Sequence, residues 1–298
     1  MKTIQYKGSE NLRLDVFLSD QIQDISRSQL QRMIKDGDIL VNQEMKKANY
    51  RLSENDVITV IMPLEKDNEV VAIDLKIEVI YEDQWLAVVN KPAGIVVYPG
   101  AGREDVSLVA ALMGMNMQLS QPEDKDMRDG IVHRLDKDTS GLMVIAKDDK
   151  THHLLSDMLR KREIKRKYYT IVSGELEHDF GTIDAPVGRD EHNRTKMTVI
   201  GSGKDAITYF KVIKRFEDFT FLECELTSGR THQIRVHMRY IKHPVLGDVI
   251  YGYKNDYDLK QQLLQSYYLE FEHPQTKKLM EFKLDVREDF KKLMSEWS

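Results

Sequence analysis

Residues 130–147, GIVHRLDKDTSGLMVIAK, place an aspartate where it can do chemistry. An apolar approach, Ile131 and Val132, leads into His133-Arg134-Leu135-Asp136, then a turn-rich Lys-Asp-Thr-Ser-Gly, then a run that reads as a strand. Arg134 and Lys137 flank Asp136 with positive charge, which favours the ionised carboxylate, and such a carboxylate serves as nucleophile or general base. The same residues also fit a plain capped turn in which Asp136 and Asp138 pair with surface Arg and Lys. Asp136-Lys137-Asp138-Thr139 is close to the D-x-D-x-T nucleophile motif of magnesium-dependent aspartyl-phosphate phosphohydrolases, although Thr139 directly follows Asp138. There, however, the apolar strand runs directly into the first Asp, whereas here it follows.

Three basic clusters accompany this aspartate. Between Ser228 and His243 lie Arg230, Arg235, Arg239 and Lys242, with His232, His237 and His243 and no acid. With Thr231 as helix cap, Ile234, Met238 and Ile241 form a buried stripe and Arg235, Arg239 and Lys242 an adjoining face, suited to phosphates or a buried carboxylate. A solvated basic face is the plain alternative. His232 and His237 are five apart rather than at the helical i, i+4 spacing of a zinc pair, and Cys224 is the single cysteine, so no metal site is expected. Residues 160–167 hold six positive charges and one negative and run into Tyr168 and Tyr169, an interleaving that suits stacking on an unpaired base, although Tyr168 alone reads as an ordinary strand aromatic. Near the N-terminus, Arg27, Arg32, Lys35, Lys46, Lys47 and Arg51 outnumber Asp36, Asp38 and Glu44.

The elements that must position these residues fall into two groups. Residues 12–63 read as a small module: a short helix around Val16-Phe17-Leu18, a second with Ser26 or Ser28 as N-cap and Gly37 as stop, then a strand pair from 39–42 and 57–62. Residues 64–74, charged and unpatterned, read as a linker, and 75–298 as the larger domain. In it, strands are expected on both sides of Glu82-Asp83-Gln84, over 140–147 and over 220–226, where alternation gives one buried face. A helix is expected over 151–162 and a mobile loop over 114–129. Strands outnumber helices without regular β-α alternation or repeats, so the fold class is α+β.

Composition narrows the setting. At 298 residues the chain exceeds one usual core. A lone cysteine, no N-terminal apolar segment and no apolar run near the ~20 residues of a bilayer span point to a cytoplasmic location and no membrane. The net charge of −5 argues against a nucleic-acid partner only in bulk, because the basic residues are concentrated at 26–51, 160–167 and 228–243.

Taken together, YEDQWLAVVNKPAGIVVYPG (81–100), HRLDKDTSGLMVIAK (133–147), RKYYTIVSG (166–174), GRTHQIRVHM (229–238) and HPVLGD (243–248) resemble the RluA-type RNA pseudouridine synthases. SRSQLQRMIKDGDILVNQ is similar to the S4-type RNA-binding module carried by many members. Arg166 replaces a frequent Lys two positions before Tyr168, and Thr170 a frequent Ala. The resemblance implies an S4-like module followed by a mixed, mainly antiparallel β-sheet catalytic domain. It implies isomerisation of uridine to pseudouridine in structured RNA, ribosomal RNA favoured over transfer RNA, with no cofactor or metal, and nothing in that mechanism demands more than a monomer. Asp136 is then the essential carboxylate, attacking C1′ or the base or removing the C2′ proton, a choice the sequence leaves open. Tyr168 is the active-site tyrosine, Arg235 the partner of the carboxylate, and Arg134 the residue that enters the RNA where the target nucleotide leaves. Arg230 and His232 are expected to bind substrate at the site, and Arg27, Arg32, Lys35, Lys46 and Lys47 to bind RNA from the module. Lys91 is expected to be structural or RNA-facing, since isomerisation needs no imine. A non-catalytic RNA binder on the same fold would have no need of Asp136.

Overall fold

The computed structural model describes residues 2–8, 11–22, 27–61, 70–99, 106–124, 127–191, 193, 196–253 and 257–296, with all of their side chains except those of residues 2, 27–29 and 32. The chain divides into two compact units, Met1–Glu69 and Val70–Ser298.

In the first unit the elements run β1 (Lys2–Gln5), α1 (Leu14–Gln21), α2 (Arg27–Asp36), β2 (Ile39–Val41), β3 (Glu44–Met45) and β4 (Val57–Val60). Leu14 and Leu18 of α1 and Leu30 and Ile34 of α2 bury against Ile39, Val41, Ile58 and Val60, the inward set of the strands. Gly37, with φ +86°, takes the left-handed conformation that ends α2 and sends the chain into β2. The expected strand pair is the centre of a four-stranded antiparallel sheet, β1-β4-β2-β3. Its two outer strands are too short or too polar to show a period. Ser28 lies inside α2 rather than capping it, and Ser26 lies outside the described residues. The stretch expected as a linker lies outside them over 64–69, and residues 70–74 open the second unit.

The second unit runs β5 (Glu78–Glu82), β6 (Leu86–Lys91), α3 (Leu108–Gly114), β7 (Ser140–Ala146), α4 (Asp149–Arg160), β8 (Lys165–Ser173), β9 (Phe180–Asp184), β10 (Val187–Arg189), β11 (Met197–Val199), β12 (Ile207–Arg215), β13 (Phe219–Leu226), α5 (Gln233–Tyr240), β14 (Leu264–Glu272), β15 (Leu279–Lys283) and α6 (Glu288–Glu296). Among the described residues a nine-stranded sheet orders as β5-β6-β7-β14-β8-β13-β12-β9, with β15 beside β14. It is antiparallel except where β14 runs parallel to β7. β14, from late in the chain, thus sits at the seam between β5-β6-β7 and β8-β13-β12-β9.

Strand periodicity covers both faces of this sheet. Met143, Ile145, Val172, Leu222 and Cys224 turn to one face with α3 and α5, while Leu142 and Val144 join α4, and Ile171, Phe219 and Phe221 join α6, on the other. The single buried face expected for 220–226 is therefore incomplete, because Phe221 is also buried, against Phe290 of α6. Gly141 permits the parallel seam: its φ is +120°, and a Cβ there would lie 2.0 Å from the Ser266 carbonyl oxygen. The segment expected to be a mobile loop is pinned at Ser120. Its hydroxyl is buried, bonds His152 Nδ1 at 2.7 Å and accepts from Gly130 N at 3.1 Å. Among the described residues no helix is long and apolar enough to cross a membrane.

Candidate functional site

Asp136 stands in the turn that enters β7, held by its backbone. Thr139 N donates to the Asp136 carbonyl at 3.2 Å, and Gln262 fixes the Thr139 hydroxyl at 2.6 Å. Lys91 braces the same turn from beneath. Its ammonium is fully buried and donates to the carbonyls of Pro92, Ile95 and Lys137 at 2.8, 2.9 and 3.0 Å, and burial pushes its pKa down to about 8. The RNA-facing alternative for Lys91 is thereby corrected: three carbonyl acceptors saturate the three N–H donors of a side chain sealed from solvent.

Arg235 comes to Asp136 from α5. Its Nη1 donates to Asp136 Oδ2 at 2.9 Å, and its Nε and Nη2 grip Asp248 Oδ2 and Oδ1 at 2.6 and 2.9 Å. Asp248 is fully buried at its side chain, Arg235 is 5% exposed and Asp136 17%. Burial by itself would raise the Asp248 pKa. The Arg235 hydrogen bonds and charge, with the N–H groups of Tyr251 and Ile250, outweigh it and hold the carboxyl below its usual range. The Tyr251 ring lies 5.0 Å from the guanidinium carbon and closes the pair from water.

His232 completes the wall. It precedes α5 in the left-handed conformation, φ +58°, and makes no side-chain cap, so the expected Thr231 cap is replaced by a residue whose backbone turns its ring inward. Met197 N donates to the Tyr251 oxygen at 2.8 Å, and the same hydroxyl bonds His232 Nδ1, also at 2.8 Å. His232 Nε2 lies 3.9 Å from Asp136 Oδ1. Burial lowers the His232 pKa despite the Asp136 charge, so the ring faces the carboxylate neutral. The expected basic face of α5 is divided: Arg235 is buried, while Arg239 and Lys242 are exposed and Arg239 covers the Tyr253 ring.

A cavity of about 570 Å³ opens over these groups and brings together Asp136, Tyr168, Arg235, Arg134, Arg230 and His232. Tyr168 is 5% exposed, and burial raises its phenol pKa, so it is neutral around pH 7. Arg134 is exposed at the mouth, and Arg230 Nε donates to the Asp205 carbonyl at 3.1 Å. The basic run 160–167 is less free than its charge count suggests, because Lys165 pairs with Glu270, Lys167 with Glu223 and Arg160 with Asp157. Arg160, Arg162 and Arg166 nonetheless line the cavity. Among the described residues no group of three His, Cys, Asp or Glu side chains is arranged to hold a metal.

In the first unit, Lys35, Lys46 and Lys47 share a cavity of about 470 Å³ with Gln31, Ile34, Met45 and Ala48. Lys46 is partly committed, pairing with Glu44 at 2.5 Å and lying 5.5 Å from the Tyr50 ring. The side chains of Arg27 and Arg32 lie outside the described residues. Reading the sequence did not single out Asp248 or Tyr251. The signal available was HPVLGD, where an acid follows a turn glycine next to apolar residues.

Residues 85–240 match the family model of the RNA pseudouridylate synthases, and residues 12–58 that of the S4 domain. The chain is 45% identical over 282 residues to the uncharacterized RNA pseudouridine synthase YlyB of Bacillus subtilis (strain 168), covering 95% of this chain and 93% of that one. It is 39% identical over 296 residues to the ribosomal large subunit pseudouridine synthase D of Xanthomonas campestris, covering 95% and 88%. Among solved structures, human RNA pseudouridylate synthase domain containing 1 shares the fold, with a TM-score of 0.58, 20% identity and coverage of 74% of this chain and 94% of that one. The chain belongs to the RNA pseudouridylate synthase family, isomerases that turn uridine into pseudouridine, and carries an S4 domain ahead of its catalytic unit.

Proposed function

We propose that the protein isomerises uridine to pseudouridine in bacterial large-subunit ribosomal RNA, with Asp136 as the essential carboxylate. The observation that carries this reading is the 2.9 Å contact from Arg235 to one oxygen of Asp136, with Arg235 itself locked on Asp248. Such a clamp fixes the carboxylate rotamer, and Asp136 Oδ1 remains turned to His232 and the cavity. The reaction breaks the N1–C1′ bond, joins C5 to C1′, releases the C5 proton and returns a proton to N1. No electron or group is gained or lost overall.

Within that balance, Asp136 acts on the ribose or the base, and neutral Tyr168, on the cavity wall, is the residue to pack against the uracil and assist proton removal at C5. Extruding the nucleotide costs a few kcal/mol of stacking, and the exposed guanidinium of Arg134 at the mouth fills the gap left behind. Lys35, Lys46 and Lys47 of the S4 domain supply phosphate contacts that bring structured RNA to the enzyme. Ribosomal RNA is favoured by the names of several relatives, the Xanthomonas protein among them.

The test is to incubate purified protein with unmodified large-subunit ribosomal RNA and map pseudouridine by site. A wild-type protein that leaves every uridine of that RNA unchanged would remove the proposed function.

A further inference from the structure

Three buried side-chain polar atoms lack a partner among the described residues: His133 Nδ1, Arg166 Nε and Thr227 Oγ1. All three residues line the cavity that holds Asp136. Buried polar atoms are normally hydrogen-bonded, so a cluster of orphans in one cavity marks the place of a polar ligand.

The donors identify its chemistry. Val144 N donates to His133 Nε2 at 3.0 Å, which places the proton of the neutral ring on Nδ1. Burial, reinforced by the Arg166 charge, lowers the His133 pKa to about 3, so Nδ1–H is a fixed neutral donor. Arg166 lies on the same face of β8 as Tyr168, two residues before it, and is 7% exposed. Its side chain has no ion pair and no hydrogen bond among the described residues, and a buried guanidinium without an anion is costly. Gly229 keeps the approach open, since a Cβ there would lie 3.0 Å from Arg166 Nη1. Two fixed donors, one of them cationic, in a cavity that a buried hydroxyl also lines call for an acceptor that carries negative charge.

We propose that Arg166, with His133 Nδ1–H and the Thr227 hydroxyl, binds a phosphodiester of the RNA strand adjoining the target uridine. The subsite rests on the RNA substrate proposed above and deepens it. Along β8 it stands one same-face position from Tyr168, a spacing of about 6–7 Å. That matches a base at Tyr168 with the adjacent backbone phosphate at Arg166. The subsite then anchors the extruded nucleotide by its backbone and leaves Asp136 to the sugar and base.

The test uses the full chain and a labelled transcript of bacterial large-subunit ribosomal RNA, with affinity measured across a series of KCl concentrations. Arg166→Gln is expected to weaken binding on the order of 10-fold at low salt. It is also expected to make the slope of log affinity against log salt shallower by about 0.7, the share of one single-strand phosphate. Arg166→Lys, which keeps the charge, is expected to keep the slope, and Thr227→Val to lose affinity without a slope change. Thermal melts confirm that each variant is folded. Coincident slopes for wild type and Arg166→Gln overturn the subsite, since a merely structural arginine filled in by water leaves the count of phosphates unchanged. A wild type that forms no pseudouridine in the transcript overturns the isomerase reading instead, and the slopes still decide the subsite.

Discussion

Asp248 holds Arg235 by two hydrogen bonds of 2.6 and 2.9 Å and so decides which N–H of the guanidinium is presented to Asp136. Removing Asp248 leaves Arg235 buried with half its partners. Asp248→Ala is expected to cost about 3–5 kcal/mol in urea unfolding and to lower kcat far more than it raises KM for RNA. Arg235→Lys, which cannot bridge two carboxylates with a planar fork, is expected to lose turnover as well. An Asp248→Ala enzyme with wild-type kcat would show that Asp136 needs no such positioning.

Asp136→Asn keeps the shape of the side chain and removes its charge. Turnover is expected to fall below detection in a pseudouridine map, while RNA affinity stays within about 2-fold of wild type, since Asp136 is no phosphate ligand. Residual isomerisation at the same uridine would transfer the essential role to another group.

Lys35, Lys46 and Lys47 line one cavity of the S4 domain, and Lys46 already spends part of its charge on Glu44. Replacing Lys35 and Lys47 by Gln is therefore expected to weaken RNA binding more than replacing Lys46. Each loss should shrink as salt rises, by a slope of about 0.7 per lost contact. Deletion of residues 1–70 is expected to weaken binding or change the target without abolishing chemistry. Unchanged rate and target at low RNA concentration would argue that the domain contributes nothing to recognition.

His133 ties stability to pH. Its folded-state pKa is about 3, against 6.5 for an ordinary histidine, so the unfolded chain takes up the proton first as pH falls. The stability present above pH 6.5 is withdrawn between 6.5 and 3, by up to about 1.4 kcal/mol per pH unit. His133→Gln offers the Val144 N–H an acceptor but no titrating group. Its urea midpoint is expected to fall less steeply than that of wild type between pH 6.5 and 5. His152, His232 and His237, also lowered by burial, titrate in both proteins and cancel in the comparison. Parallel curves would mean that the His133 ring titrates as it does in water.

The residues that meet at the site were legible in the sequence as motifs, and much of the geometry between them was not. Asp136 and Arg235 announce themselves by charge and spacing. Asp248 does not, because a buried acid leaves no period and its partner is identified only once α5 and the turn after it fold together. His232 was legible as a residue type but not as a helix start, since a left-handed non-glycine is set by what surrounds it. The strands over 140–146 and 219–226 follow from their apolar runs, and their place in the sheet does not. Strand order is fixed by the parallel pairing of Gln265 and Ser266 with Ser140 and Gly141, which local patterning cannot encode.

That seam sets the order in which the enzyme comes into being. Asp136 belongs to the edge ahead of β7, whereas Tyr168 and Arg235 belong to the β8 side, and β14 is the strand hydrogen-bonded to both β7 and β8. A chain still on the ribosome can form each half of the sheet from neighbouring strands, but the halves have no common ladder until β14 emerges. The hydrogen-bonded ladder that joins the half carrying Asp136 to the half carrying Tyr168 and Arg235 is therefore completed only by a strand encoded late in the chain, after every residue of the site.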